Sequence, residues 1–173
     1  WVWLAVSVFA VIAYSAPGLR FKERPFLDST TSSLHFVTPA IVGLTLATGT
    51  VTPTAVIALV AFFLWGMAAH AFGAVQDIGP DREGGIGSIA TVIGARSTVR
   101  LSIALWTLAG AAMLFTTWPG PLGALLAVPY IANAAPWWNV TDETSGGTNR
   151  AWRRFIALNY FADFLATMIL ILA

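Results

Sequence analysis

The chain carries nine cationic and eight acidic side chains, and all but one of these charges fall into three alternate connections between apolar segments. No other feature limits the fold as tightly. The segments run Trp1–Tyr14, Leu34–Thr48, Thr54–Gln76, Val99–Thr117, Leu122–Pro136 and Arg154–Ala173. Arg20, Lys22, Glu23, Arg24 and Asp28 lie between the first two segments. Asp77, Asp81, Arg82, Glu83 and Arg96 lie between the third and fourth, with Arg100 at the start of the fourth. Asp142, Glu143, Arg150 and Arg153 lie between the last two, with Arg154 at the start of the sixth. The other connections, Gly49–Pro53 and Trp118–Pro121, carry no charge, and Asp163 alone falls inside a segment. Alternate connections of a chain that crosses a bilayer six times emerge on one side, and the excess of cations makes that side cytoplasmic.

The expectation is therefore an all-α, polytopic transmembrane helix bundle, a single domain over residues 1–173, in the plasma membrane and in contact with lipid. Composition agrees: 57% of residues are hydrophobic and 10% charged, with a mean hydropathy of +0.76, where a soluble domain carries roughly 25% charged residues. The net charge of +1 offers no basic patch for nucleic acid. The absence of cysteine excludes disulfide and thiolate chemistry. A span needs about 20 residues, so the first, second and fifth segments are short. The sequence opens at Trp1 inside an apolar run and is expected to be an N-terminally truncated piece.

Chemistry concentrates in Asp77–Gly94, which reads Asp-Ile-Gly-Pro-Asp-Arg-Glu-Gly-Gly-Ile-Gly-Ser-Ile-Ala-Thr-Val-Ile-Gly. Asp77 and Asp81 are four residues apart, which on a helix puts both carboxylates on one face. Two carboxylates on one face repel each other unless a cation lies between them. Mg²⁺ suits such a pair: it is a hard ion that takes one or two carboxylates plus substrate phosphate oxygens. Pro80 cannot donate to the Gln76 carbonyl and disfavours helix at Gly79, so a helix is expected to end there and restart at Pro80. A calcium loop is excluded because Arg82 and Ser88 occupy its Gly and Glu positions. The Gly85-Ile-Gly87-Ser-Ile-Ala90 run follows no strand and is not a dinucleotide site. A solvated charged loop is the remaining alternative.

The first charged connection holds Arg20, Lys22 and Arg24 within five residues. Such a cluster at a membrane surface suits diphosphate oxygens, Arg as a planar fork and Lys as a point charge. Ordinary positive-inside decoration explains it equally well.

These two stretches together resemble the UbiA superfamily of intramembrane prenyltransferases. Asp77-x-x-x-Asp81 followed by Gly85, Ser88 and Gly94 matches the family spacing, and Tyr14-Ser-x-x-Pro-x-Arg20-x-Lys22 is similar to its Tyr-and-Lys loop. The resemblance implies that the six segments are the last six of nine helices. It implies that Asp77 and Asp81 hold half of a Mg²⁺ site, the other half lying on an earlier helix. It implies catalytic roles for Asp77, Asp81, Tyr14 and Lys22. Arg20, Lys22, Arg24 and Arg82 would bind the diphosphate of an allylic donor. Within the superfamily the runs Arg20-Phe-Lys22-Glu-Arg24-Pro-Phe-Leu-Asp28, Phe72-Gly-Ala-Val-Gln-Asp77 and Arg153-Arg-Phe-Ile-Ala-Leu-Asn159-Tyr resemble the lycopene elongases of C50 carotenoid synthesis. That branch implies dimethylallyl diphosphate as donor and lycopene as lipophilic acceptor. Branches acting on quinone precursors, chlorophyllides or glyceryl phosphates share the core motifs and stay open.

Polar groups inside the segments are few. His70 is two helical turns before Asp77, roughly 10 Å along one face, and like any intramembrane polar group is a site candidate. Asn159 and Asp163 form a second i, i+4 pair, and Asp163 is the one charge buried mid-span. With Phe72 these residues are expected to line an acceptor cavity. Trp65 and Tyr160 are further candidates to face an allylic cation. A histidine satisfied by a neighbouring helix, and aromatics in simple packing, are the competing readings. A cation-coupled transporter would show internal repeats and helices broken at the midplane, and neither is visible.

Overall fold

The computed structural model describes residues 1–48 and 50–172, of which the Thr48 side chain is excepted. Gly49, which opens one uncharged connection, and Ala173, which closes the sixth segment, lie outside the described residues. Every regular element among the described residues is helical.

The first apolar run forms α1, Val2–Ser15. A short 3₁₀ turn at Phe21–Glu23 follows, then α2, Leu27–Thr48. This helix begins seven residues before the apolar segment that announced it. Its first turns are polar, and Asp28, Ser29, Thr31 and Ser33 are nonetheless buried. The reason is close helix contact: Ser33 Oγ donates to the Phe63 carbonyl at 2.6 Å, and a Cβ on Gly66 would stand 2.6 Å from that same hydroxyl. Small and hydroxyl-bearing residues let membrane helices approach and bond across the gap. α3, Pro53–Val75, has Pro53 at its first position, where no amide is needed, and Thr52 as N-cap accepting from Ala55 N at 3.1 Å.

Two short helices, α4 (Ile78–Glu83) and α5 (Ile89–Ile93), occupy the charged connection after α3. α6 covers Ala95–Met113. The fifth segment is not one helix. It runs through a 3₁₀ stretch at Gly120–Leu126, α7 at Ala127–Ala134, and a 3₁₀ turn at Ala135–Trp137. The tighter 3₁₀ winding advances about 2 Å per residue against 1.5 Å in an α-helix, which lets a short segment reach further. A 3₁₀ stretch at Asp142–Thr148 leads into α8, Asn149–Leu172.

Neighbours in sequence are neighbours in space: α1 packs on α2, α2 on α3, α3 on α6, α6 on α7 and α7 on α8. The core is aromatic. Trp106 is fully buried and stacks on Tyr130 at 5.6 Å and on Phe155 at 6.0 Å, with Phe72 edge-on at 5.7 Å. Outward faces stay apolar, including Phe9 and Ile12 on α1 and Phe161, Phe164 and Leu170 on α8. Pro53–Val75 and Asp142–Leu172 are long and apolar enough to cross a membrane.

Candidate functional site

The three charged connections meet at one end of the bundle, and named contacts tie them together. Between the first and second, the buried Asp28 carboxylate accepts from Ile89 N at 2.8 Å. At the same junction Gly87 lies so close to the first connection that a Cβ there would be 2.8 Å from the Glu23 carbonyl oxygen and 3.2 Å from Pro25. Between the second and third, Arg82 pairs with Asp142 at 2.8 Å, and Asp142 also accepts from Ala95 N at 2.7 Å.

Asp77 and Asp81 sit on this platform. The chain leaves α3 at Val75 and restarts helix at Ile78, two residues before the expected Pro80, with Asp77 as the residue preceding the first turn. Pro80 lies in that first turn, where it removes no intrahelical bond. Asp81 N donates to the Asp77 carbonyl at 2.8 Å, so the two aspartates keep the i, i+4 relation through the bend. Burial raises the carboxyl of Asp77 above its usual range, against a hydrogen bond from Gln76. Burial also raises Asp81, and the charge of Asp77 adds to it. The Ser88 hydroxyl acts in the opposite direction and Asp28 pushes the same way as Asp77. Such mutual repulsion in partly desolvated carboxylates is what a hard cation relieves. Among the described residues no three acidic or imidazole groups converge on one point, so two carboxylates are what this chain can offer an ion. The oxygen donor set fits a divalent hard cation that takes its other ligands elsewhere.

The rest of the motif is architecture. Ser88 caps α5 reciprocally with Thr91: Thr91 N donates to Ser88 Oγ at 3.3 Å and Ser88 N to Thr91 Oγ1 at 2.8 Å. Gly94 holds φ +80°, and a side chain there would press on the Asp142 carboxylate at 3.3 Å.

The four cations expected at a diphosphate have different surroundings. Lys22 is exposed and pairs with no group among the described residues. Arg20, in left-handed backbone at φ +41°, forms an ion pair with Glu23 of the same turn. Arg24 donates to the Gly18 carbonyl at 3.0 Å and lies over the Phe21 ring. Arg82 binds Asp142 and donates to the Thr91 carbonyl at 3.0 Å, so in this structure it links two connections.

Deeper along α3, His70 stands between two hydroxyls, 3.4 Å from Tyr14 and 3.3 Å from Ser29. Tyr14 also meets the His35 ring edge-on at 4.9 Å. Phe72 is not on a free surface; it is buried against Trp106. A separate cavity of about 320 Å³ opens between α3, α6, α7 and α8, with Trp65, Trp106, Tyr130 and Asp163 on its walls. Asn159 accepts from the Tyr130 hydroxyl at 2.9 Å beside it. Tyr160 is exposed on the outer face of α8. The sequence reading thus missed Asp28, Ser29, Gly87 and Asp142 as site-building residues. The Asp-Ser-Thr-Thr-Ser-Ser run from Asp28 is a helix-start signal, and that signal was available.

The sequence description of the UbiA prenyltransferase family matches residues 1–159. The chain is 53% identical over 173 residues to a lycopene elongase/hydratase of Corynebacterium glutamicum, covering 98% of this chain and 59% of that relative. It is 50% identical over 171 residues to the C(50) beta-cyclic carotenoids biosynthesis protein LbtBC of Dietzia sp., covering 98% and 40%. A lycopene elongase/hydratase of Haloferax volcanii is 42% identical over 127 residues, covering 73% and 40%. The chain therefore spans at most about three-fifths of the length of these relatives. No solved structure matches it. With the paired aspartates, the capped Gly- and Ser-bearing turn and the docked Tyr-and-Lys loop in place, and with the family description covering nearly the whole sequence, this chain belongs to the UbiA prenyltransferase family.

Proposed function

We propose that the whole protein is a Mg²⁺-dependent integral-membrane prenyltransferase that extends lycopene in C50 carotenoid synthesis, with dimethylallyl diphosphate as donor. What supports this reading is that Asp77 and Asp81 stand one helical turn apart, near enough for the charge of Asp77 to raise Asp81, in the connection whose Gly87 packs on Glu23 and Pro25, in a chain half identical to a lycopene elongase/hydratase. The family uses a divalent metal; a bound Mg²⁺ would neutralise the diphosphate and ease its departure. Asp77 and Asp81 hold the ion in this reading. Lys22 meets phosphate oxygens directly, with Arg20 and Arg24 completing the grip from the same connection, and Arg82 joins by exchanging Asp142 for phosphate. The charged connections are cytoplasmic and the protein lies in the plasma membrane.

The acceptor is an apolar polyene in this proposal. A phenolic carboxylate would need a fixed cation at depth, because an unpaired buried charge is prohibitive. Among the described residues no Lys or Arg lines the inter-helix cavity, whose polar groups are Asp163, Thr167, the Tyr130 hydroxyl and the Trp65 and Trp106 indole N–H groups. Asn159 and Asp163 fix water or close the bundle, and the apolar walls keep an allylic cation dry. Expression of the whole protein in cells that accumulate lycopene, beside membranes given 4-hydroxybenzoate and an allylic diphosphate, tests the reading. Carotenoids longer by five or ten carbons support it. Prenylated hydroxybenzoate with unchanged lycopene refutes the acceptor.

A further inference from the structure

We propose that Asp28, Ser29, His70 and Tyr14 form one proton-accepting chain, with the Tyr14 oxygen as the atom that takes the proton ending prenyl transfer. The inference rests on the prenyltransferase reading above and assigns its last step.

Hydrogen-bond direction carries the argument. Asp28 is completely buried, and as a carboxylate it only accepts. Ser29 Oγ donates to Asp28 Oδ1 at 3.3 Å, while Ser29 N donates to the same oxygen at 2.7 Å. A serine hydroxyl has one hydrogen. With that hydrogen on Asp28, Ser29 Oγ can only accept from His70 Nδ1, which lies 3.3 Å away. His70 therefore carries its proton on Nδ1, and Nε2 is the basic nitrogen. Nε2 faces the Tyr14 hydroxyl at 3.4 Å, so Tyr14 donates inward, and its oxygen, which also accepts from the Ser32 hydroxyl, keeps one lone pair free to take a proton. The carboxylate sets the tautomer through the serine, much as a carboxylate bonded to the far ring nitrogen does for catalytic histidines. His35 is not part of this chain. It meets the Tyr14 ring by an edge, and its buried Nε2 bonds to nothing among the described residues.

Position agrees with the assignment. Tyr14 sits in the last turn of α1, next to the connection that bears Lys22. His70 is two turns below Asp77, roughly 10 Å deeper. A donor held by its diphosphate at the charged end would carry its allylic carbon toward the depth at which His70 lies.

The step balances. The new carbon–carbon bond leaves a tertiary carbocation on the acceptor. A neighbouring C–H bond breaks, and its electron pair becomes the new double bond. The proton goes to the Tyr14 oxygen as the Tyr14 hydroxyl proton goes to His70 Nε2. The imidazolium is held by Ser29 and the Asp28 charge until it loses a proton to water at the charged end. Where water attacks the cation instead, the oxonium ion loses its extra proton to other water without this chain, and the product is a tertiary alcohol. Several relatives are named elongase/hydratase, which covers both fates.

The test uses the whole protein in membranes with lycopene and dimethylallyl diphosphate, following diphosphate release and the ratio of alkene to alcohol products. Tyr14→Phe, His70→Gln and Ser29→Ala are expected to shift that ratio roughly tenfold or more, within the usual reach of general-base catalysis. Ser29→Thr, which keeps the hydroxyl, restores it. His35→Phe, which keeps the edge contact, leaves it unchanged. Diphosphate release in the same reactions reports folding and donor binding. Variants that keep the wild-type ratio, whatever their rate, overturn the assignment alone. A wild-type protein that extends no polyene overturns the function and this step with it.

Discussion

Replacing Asp28 by Asn tests whether one buried carboxylate holds the two substrate-facing connections together. Asp28 is fully buried, and both of its oxygens are used: Oδ1 by Ser29, Oδ2 by Ile89 N at 2.8 Å. Asparagine has one acceptor oxygen and one donor nitrogen. With its oxygen toward Ser29, its NH₂ faces the Ile89 N–H, donor against donor. With the amide flipped, it faces the Ser29 N–H instead. One buried donor is stranded either way. A hydrogen bond to a charged group contributes about 1.5–3 kcal/mol, and a stranded buried donor costs about 1–3 kcal/mol. Relief from burying a charge offsets part of this, leaving a net loss of about 2 kcal/mol.

That loss falls on the docking of α5 and the Gly85–Ser88 turn. Arg82 precedes this turn and is nearly half exposed at 46%, so trypsin can report on it. A loss of about 2 kcal/mol in a local opening equilibrium raises the open fraction, and with it cleavage after Arg82, about thirtyfold. The global midpoint in detergent should fall by roughly 4–8 °C for a domain of this size. Equal cleavage rates for wild type and Asp28→Asn, with midpoints within about 1 °C, would refute the reasoning and make Asp28 an ordinary loop charge.

Further expectations concern the ion and the contacts around it. Asp77→Ala and Asp81→Ala should abolish prenyl transfer while the protein still inserts in the membrane, as checked by turnover and by membrane fractionation. Because burial raises both carboxyls in the fold, and the charge of Asp77 raises Asp81 further, the pair binds protons more tightly folded than unfolded, and its stabilising effect fades as pH rises through the raised values. Added Mg²⁺ should therefore lift the thermal midpoint more at pH 7.5 than at pH 5 in the conditions of the assay, and Asp77→Asn with Asp81→Asn should erase that difference. Asp142 has the opposite sign. The Ala95 amide, and then Arg82, hold its carboxyl low, so its contribution is complete above the unfolded value of about 3.9 and is lost as pH falls through the folded one; midpoints of wild type and Asp142→Asn should converge in acid. Gly87→Ala puts a methyl 2.8 Å from the Glu23 carbonyl and should undock the first connection, seen as a raised donor KM with little change in insertion.

Much of this arrangement was legible in the sequence because it rests on patterns one residue type can carry. Alternating charged connections are expected on one side and do meet at one end of the bundle, and the Asp77/Asp81 spacing survived a bend because Pro80 fell within the first turn of the new helix. What could not be read depends on contacts between distant segments. The start of α2 was placed at Leu34, because hydropathy sees Asp-Ser-Thr-Thr-Ser-Ser as loop. In the fold those hydroxyls are buried against α3, where Ser33 reaches the Phe63 carbonyl. The same blindness hid Asp28, whose partner is sixty-one residues away. The fifth segment was expected to be a short span; Pro119, Pro121 and Gly123 favour the tighter 3₁₀ winding, which a hydropathy window does not distinguish. Phe72 was placed on a cavity wall by its nearness to Asp77, but five residues along a helix turn the side chain away from that face, into the Trp106 cluster.

On the proposed reading, the charge arrangement at the open end gives a divalent ion its part. Arg20 is neutralised by Glu23 and Arg82 by Asp142, and Arg24 is engaged with a carbonyl of its own loop. That leaves Lys22 and the still-charged Arg24 beside the two carboxylates Asp77 and Asp81. A diphosphate arriving there meets no excess of positive charge from these groups, and exposed cations contribute little in water. In the proposed reading a divalent cation between carboxylates and phosphate would make binding favourable, and would also remove the repulsion that adds to the raised Asp81. A phosphate that then draws Arg20 and Arg82 from their partners gains those cations too, at the cost of stranding Glu23 and the half-buried Asp142. Replacing Glu23 by Gln frees Arg20 without that penalty. If the pairs restrain the site as argued, Glu23→Gln should tighten donor binding at low Mg²⁺ and lose the advantage at saturating Mg²⁺. Equal donor affinity for both proteins at every Mg²⁺ concentration would show that the Arg20–Glu23 pair holds nothing back.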